Sequence, residues 1–285
     1  MKVAPFHYHA PASKQEALDL LAHYEPEDAR ILAGGQSLIP MMAFRLARPG
    51  HLIDINRIPG LHGIDLRGDA IYIGAIARHA AFEKPIEPGP TGRLLADVAA
   101  AIGHAPIRSR GTFCGSLANA DPASEWCMTA TALGARMRIE KSGALRELEA
   151  SEFFFGIMTT ALEADEMLTG LTLPRLPADA RHGFYETSRR AGDFALGAAL
   201  AIYRLQDGRM QDARIVLAGA EPHPRRLADA EACLNGEVPS DAAFRAAAEA
   251  AANAIDPLTD GQVDAGLRCD IARAVCHRAL LRSLA

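Results

Sequence analysis

The apolar positions of the first 57 residues fall into short runs separated by polar and turn-forming residues. They read as a strand at the start, a helix over residues 13–24 and a strand over 31–33. A second helix over 38–46, opened by Ser37 and Pro40, and a strand over 52–55 complete a small α/β lobe. From Ile58 the pattern changes. Alternating residues over 64–76, with Gly68-Asp69 between them, predict a hairpin. Helices follow, and apolar and small residues recur at helical spacing over 121–133. Strands over 136–139 and 167–173 finish a second lobe, and Pro174 and Pro177 mark a linker. Beyond it, segments 183–186, 195–205 and 213–220 are expected to form an antiparallel sheet with Gly208 at a turn. Two Ala-rich helices, over 240–255 and 265–284, would cover it. The reading is α+β, with lobes of about 1–57 and 58–176 followed by a C-terminal unit over 177–285. No internal repeat interrupts it.

Two glycine-bearing loops stand out against this pattern. One is Ala33-Gly34-Gly35-Gln36-Ser37-Leu38-Ile39-Pro40, and the other runs from Thr112 through Gly115 and Ser116 to Asp121-Pro122. Each puts Gly where an apolar run ends, so bare backbone N–H groups can approach an anion closely. An anion at the start of the helix after Ser37 is favoured by the helix dipole. Two such cradles suit a diphosphate. Neither matches the Gly-x-Gly-x-x-Gly turn or the P-loop, so a different nucleotide fold is implied. Arg108 and Arg110, just ahead of the second loop, read equally well as surface charges and as phosphate partners.

Composition narrows the picture. The chain has 285 residues, 49% hydrophobic, and a net charge of −5. That charge argues against a protein that tracks nucleic-acid phosphates. No run approaches the roughly 20 apolar residues of a membrane span, and the first residues lack a secretory signal, so a cytoplasmic location is expected. The five cysteines, at 114, 127, 233, 269 and 276, show no Cys-x-x-Cys spacing and argue against a disulfide framework or an iron–sulfur cluster in this chain. Cys269 and Cys276 read as core-facing on one helix. The ten histidines are scattered, and His7 and His9, on one strand face, have no nearby acidic partner, so no metal is assigned.

The residues also carry a family resemblance. Phe6-His7-Tyr8 with Pro11, both glycine loops, and Ser188-Arg189-Arg190-Ala191-Gly192-Asp193-Phe194-Ala195 occur in the order found in the FAD-binding medium subunits of the molybdenum-containing hydroxylases. This is the family of aerobic carbon monoxide dehydrogenase and of the flavin domain of xanthine dehydrogenase, and an arginine-bearing C-terminal helix completes the similarity. The resemblance implies a two-lobed FAD-binding domain of the vanillyl-alcohol oxidase/xanthine dehydrogenase type. It places the FAD pyrophosphate on Ala33, Gly34, Gly35, Gln36, Ser37 and Leu38, with Thr112, Gly115 and Ser116 on the second loop. Asp121 lies close by, Glu125 is the acidic residue on the nucleotide side, and Ile102 is an apolar contact. Leu168 and Tyr185 fall where relatives touch the flavin, and Asp193 and Phe194 lie in the segment that approaches its ring. The chain departs from the family's usual pattern at Cys114, where a second glycine is common, at Tyr185, and at Leu267, which precedes Arg268.

No nucleophile elbow or paired carboxylates point to side-chain catalysis. The resemblance implies instead a subunit that binds FAD and passes electrons to an external acceptor; with both cradles present and no residue placed for a covalent flavin link, non-covalent binding is expected. Its partners would be a large molybdopterin subunit and a small subunit with two 2Fe-2S clusters, assembled as a dimer of heterotrimers. A stand-alone FAD-dependent oxidase of the vanillyl-alcohol oxidase type is the alternative enzyme class, although such enzymes generally need a larger substrate domain. A non-enzymatic assembly or nucleotide-binding protein is the other class.

Overall fold

Three sheets in succession organise the chain in a computed structural model, which describes residues 2–261 and 263–284. The first holds β1 (His7–His9), β2 (Ala29–Leu32) and β3 (His51–Asp54), with helices α1 (Lys14–Tyr24) and α2 (Leu38–Ala43) between them. Its order is β1-β3-β2, all parallel. β3 is central, so both faces of Leu52-Ile53 are buried. Ser13 caps α1 by accepting from the Glu16 amide, and Ala17, Leu18 and Leu21 pack on Ile53 and Ile55. His7, His9 and His51 stack along the β1–β3 pair, His9 Nε2 lying 2.9 Å from His51 Nδ1. Among the described residues no three His, Cys, Asp or Glu side chains form a metal-holding group.

The second sheet is antiparallel. β4 (Ile64–Arg67) and β5 (Ala70–Gly74) form the expected hairpin, followed by helices α3 (Pro90–Ala101), α4 (Ala105–Arg110), α5 (Phe113–Asn119) and α6 (Glu125–Leu133). β6 (Arg136–Lys141), β7 (Ala144–Glu149) and β10 (Met167–Pro174) complete it in the order β4-β5-β10-β6-β7, and β8 (Phe154–Gly156) with β9 (Thr159–Thr160) forms a separate small hairpin between β7 and β10. Phe82, Phe113 and Trp126 form its aromatic centre, with the Phe113 and Trp126 rings stacked 4.3 Å apart.

The third sheet, β11 (Ala180–Thr187), β12 (Gly197–Gln206) and β13 (Arg209–Ala218), is an antiparallel meander. One face packs Ala199, Ala201, Tyr203 and Ile215 against α8 (Asp241–Ala254) and α9 (Ala265–Arg282), beside the short α7 (Ala228–Ala232). The other face, with Phe184, Ala198, Leu200 and Val216, joins the core around α6. The fold is therefore α+β.

Three sequence readings need correction. The segment after Thr112 is the helix α5 rather than an open loop, because Phe113, Cys114 and Leu117 are buried and Thr112 caps them. The helix expected from residue 121 starts only at Glu125. Residues 121–124 form a turn in which Asp121 Oδ1 accepts from the Ala123 amide and Ser124 caps α6. The third strand of the last sheet also starts earlier than expected, at Arg209, directly after the Asp207-Gly208 turn.

Candidate functional site

The chain leaves β2 through Ala33 and Gly34 into a tight bend at Gly35, whose φ of +72° is open chiefly to glycine. The bend delivers Gln36, Ser37 and Leu38 to the start of α2. Ser37 makes no side-chain cap, and the amides of Gly35, Gln36, Ser37 and Leu38 make no hydrogen bond to other described residues. Four free N–H groups in a row form a concave donor array suited to an anion.

The second segment meets this bend at backbone contact. A Cβ on Gly34 would lie 2.5 Å from the Arg110 carbonyl oxygen and 2.7 Å from the Gly111 Cα. A Cβ on Gly115 would lie 3.8 Å from the Ala33 Cβ and 2.5 Å from the Thr112 hydroxyl, which accepts from the Gly115 amide at 3.1 Å. Thr112 thus shapes the segment as a helix cap, and Gly115 is bare because that hydroxyl occupies the space a side chain would need. Ser116 Oγ is 2.8 Å from Ser124 Oγ, which ties α5 to the turn before α6. Cys114 points its thiol into the core, 3.6 Å from the Gly74 carbonyl, away from the segment's open side, and burial pushes its pKa up. The departure at this position therefore leaves the backbone geometry intact.

Three further residues hold the two segments together and were not legible in the sequence. Asn56 Nδ2 donates to the Ala33 carbonyl at 2.7 Å, and its own carbonyl accepts from Arg78 at 2.6 Å. Arg78 donates in turn to the Arg110 carbonyl, closing a side-chain bridge from one segment to the other. Next to it, His79 is buried and accepts at Nδ1 from the Trp126 indole at 2.9 Å, while its amide donates to the Gly111 carbonyl. Burial, aided by Arg78 and Arg108, lowers its pKa to about 4. Arg108 is engaged internally, donating to Glu83 and to the carbonyls of Ile102 and Gly103, which makes it a structural cation.

The remaining residues named from the sequence spread outward from this meeting point. Ile102 is buried at the C-terminus of α3, and Leu168 lies in the main core on β10 opposite Ile139. Asp121 and Glu125 frame the turn into α6. Burial pushes the Glu125 pKa up to about 8, with Glu186 and Asp121 adding repulsion, and Asp121 is also raised by burial. Asp193 and Phe194 lie on the bend between β11 and β12. Phe194 is 71% exposed, and Gly192 in the same bend sits against the His104 ring. Tyr185 is not brought to the loops. It lies on the β11 face turned to α9, where its hydroxyl accepts from Arg278 and its ring sits under Arg278 and Arg282. The adjacent Glu186 occupies the opposite face, beside α6.

Comparison with known proteins gives the chain its family. Residues 4–176 match the family model of the FAD binding domain in molybdopterin dehydrogenase. The chain belongs to the FAD-binding medium subunits of the molybdenum hydroxylases. Residues 182–283 of this medium subunit match the CO dehydrogenase flavoprotein C-terminal domain. It is 35% identical to the nicotine 6-hydroxylase medium subunit of Paenarthrobacter nicotinovorans, over 99% of both chains. It is 34% identical to the carbon monoxide dehydrogenase medium chain of Hydrogenophaga pseudoflava, over 96% of both. Among solved structures it superimposes on a carbon monoxide dehydrogenase from Hydrogenophaga pseudoflava with a TM-score of 0.94 at 35% identity, covering 100% of this chain and 99% of that one. Quinoline 2-oxidoreductase from Pseudomonas putida 86 gives a TM-score of 0.92 at 36% identity, covering 99% and 98%. The medium subunit's free amides and glycine crossing fit a dinucleotide diphosphate, so its cofactor is FAD. No helix among the described residues is long and apolar enough to cross a membrane.

Proposed function

We propose that this chain is the electron exit of a multi-subunit molybdenum hydroxylase in the cytoplasm. Its partners are a large molybdopterin subunit and a small subunit with two 2Fe-2S clusters, arranged as a dimer of heterotrimers. FAD, when bound, supplies a carrier that takes electrons from the clusters and passes them to an external acceptor. The observation that carries this reading is the backbone crossing of Gly34 with Arg110 and Gly111, which sets the free amides of residues 35–38 beside the start of α5.

In this assignment, residues 1–176 serve as the FAD-binding unit and 177–285 as the unit that covers its open side. Ala33, Gly34, Gly35, Gln36, Ser37 and Leu38 hold the diphosphate by backbone donation. Thr112, Gly115 and Ser116 fix the second wall, and Asp121, Glu125, Ile102, Leu168, Asp193 and Phe194 line the path of the rest of the dinucleotide. Tyr185 reaches the flavin only if the β11–β12 bend shifts when the cofactor binds. Exposed Phe44 (70%) and Leu46 (77%) after α2, and Phe155, Ile157 and Met158 around β8–β9, offer apolar surface of the kind that partner subunits cover. Substrate choice belongs to the large subunit.

The test is made on the intact complex with Gly115→Val and Thr112→Val combined. Flavin should be depleted while molybdenum content is retained. Substrate should still reduce the iron–sulfur centres, while turnover with the physiological acceptor collapses. Parallel loss of both activities in an intact, molybdenum-loaded complex would instead favour a flavin that meets substrate directly, as in a stand-alone oxidase.

A further inference from the structure

Glu186 Oε2 is buried and has no hydrogen-bond partner, alone among the described side-chain atoms in this respect. Three carboxylates buried elsewhere in the fold are well served. Glu87 takes two amides and Arg175, Glu140 takes Lys14, Arg138 and Thr169, and Glu231 takes Arg226 and the Ile215 amide. A buried acceptor left unserved is costly, and native folds seldom keep one without a use.

Its place in the fold indicates the use. Side chains alternate along β11, so Phe184 and Glu186 face the core around α6 while Tyr185 faces α9. Glu186 pairs with Ala198, which pairs with Ala218, and the next amide, Gly219, donates to the Pro122 carbonyl. Glu186 therefore stands over the turn that carries Asp121 and Glu125. Its other side borders a groove of about 640 Å³ between the end of α3 and β11, shared with Gly103, His104, Ala191 and Gly192. It sits between the end of α3, Glu125 and the bend that holds Asp193 and Phe194.

We propose that Glu186 is a FAD-positioning residue whose free oxygen accepts a hydrogen bond from an N–H or O–H group of the bound dinucleotide. The inference rests on the FAD assignment above. The electrostatics agree with it. Burial pushes Glu186 up to about 7 and Glu125 to about 8, so near neutral pH the pair keeps a proton while no donor is at hand. Besides Glu125 and Asp121, the charged groups nearby are His104, the Asp97–His182 pair and Arg282, which donates to the Phe184 carbonyl. A donor from FAD favours the ionised form, so binding lowers the carboxyl pKa and releases a proton. FAD affinity should then rise as pH rises through the range below 7.

The experiment uses the native multi-subunit complex stripped of flavin and titrated with FAD at about pH 6 and about pH 7.5, with binding read from flavin fluorescence. Wild type should bind roughly five- to tenfold more tightly at the higher pH. Glu186→Leu should weaken binding roughly 10- to 100-fold at the higher pH. The same change should raise the melting temperature of the flavin-free complex, because it removes an unserved carboxylate. Glu186→Gln keeps an acceptor and the shape, so it should bind with a smaller loss and a flat pH profile, and it carries the test if the leucine variant does not assemble. Competition by riboflavin and by ADP then tells whether the donor lies on the flavin or the adenosine half. FAD affinity of both variants within twofold of wild type, with the wild-type pH profile, overturns the proposal. A wild-type complex that binds no FAD overturns the cofactor assignment itself.

Discussion

Single atoms set the tolerance of the cradle, and its glycines are not equivalent. At Gly34 an added methyl meets the backbone of Arg110 and Gly111, which cannot step aside without parting the two segments. At Gly115 it meets only the Thr112 hydroxyl, which can rotate away at the cost of a helix cap worth about 1 kcal/mol. Gly34→Ala should therefore abolish FAD retention, while Gly115→Ala keeps most of the flavin and lowers stability by about that cap, as checked by the flavin-to-protein ratio and urea midpoints. His79 gives a pH prediction with a definite sign. Its folded pKa of about 4 lies below the ordinary 6.5, so only the unfolded chain takes up the proton between these values. Its contribution is complete above pH 6.5 and is lost as pH falls toward 4, a difference of about 3 kcal/mol. Glu125 and Glu186, with raised values, lose stability in the opposite direction as pH rises. The readout is therefore a difference: His79→Gln, which still accepts from Trp126, should show a shallower acid limb of melting temperature than wild type. Asn56, Arg78 and His79 were silent in the sequence because each acts through a partner distant along the chain, and Glu186 because its place over the turn before α6 is set by sheet pairing; no local spacing betrays either.

Among the elements, α9 does more than cover the third sheet. Arg268, in its first turn, is 3% exposed and donates to the Leu196 carbonyl at 2.6 Å, to the Leu258 carbonyl at 3.2 Å and to Asp260 at 2.9 Å. Leu196 is the point where the bend carrying Asp193 and Phe194 returns to β12, its amide donating to the Thr187 carbonyl. Arg268→Met keeps the apolar stem but leaves buried carbonyls unserved. It should lower unfolding stability by about 2–4 kcal/mol, with Arg268→Lys recovering only part, as measured by denaturant titration. Elements with strong periodicity, such as α1, α8 and the β4–β5 hairpin, were legible from sequence to within a few residues. The helix α5 was not. Its seven residues include Gly115, Ser116 and Asn119, poor helix formers that spell a loop until burial of Phe113, Cys114 and Leu117 overrides them. The edge strand β7, with only partial burial and mixed charges, left no alternation strong enough to register.

For the molecule as a whole, the order of its motifs told more than any one of them. The two glycine segments and the Arg-Arg-Ala-Gly-Asp-Phe stretch, in that sequence, were sufficient to indicate the family, and the α+β architecture followed with it. How the three sheets meet was not available from the sequence, since the contacts that join them run through backbone carbonyls and buried side chains. The crossing of Gly34 with Arg110 and Gly111 also has a consequence for biosynthesis. On the ribosome, the first half of the cradle emerges long before the second, and Glu186 later still. A nascent chain that has not yet delivered Arg110 has one wall of a binding site and nothing opposite it. If the two segments hold FAD as proposed, cofactor capture waits for synthesis to pass the second one, so the newborn polypeptide must stay soluble at least until Ser116 has emerged without help from its flavin.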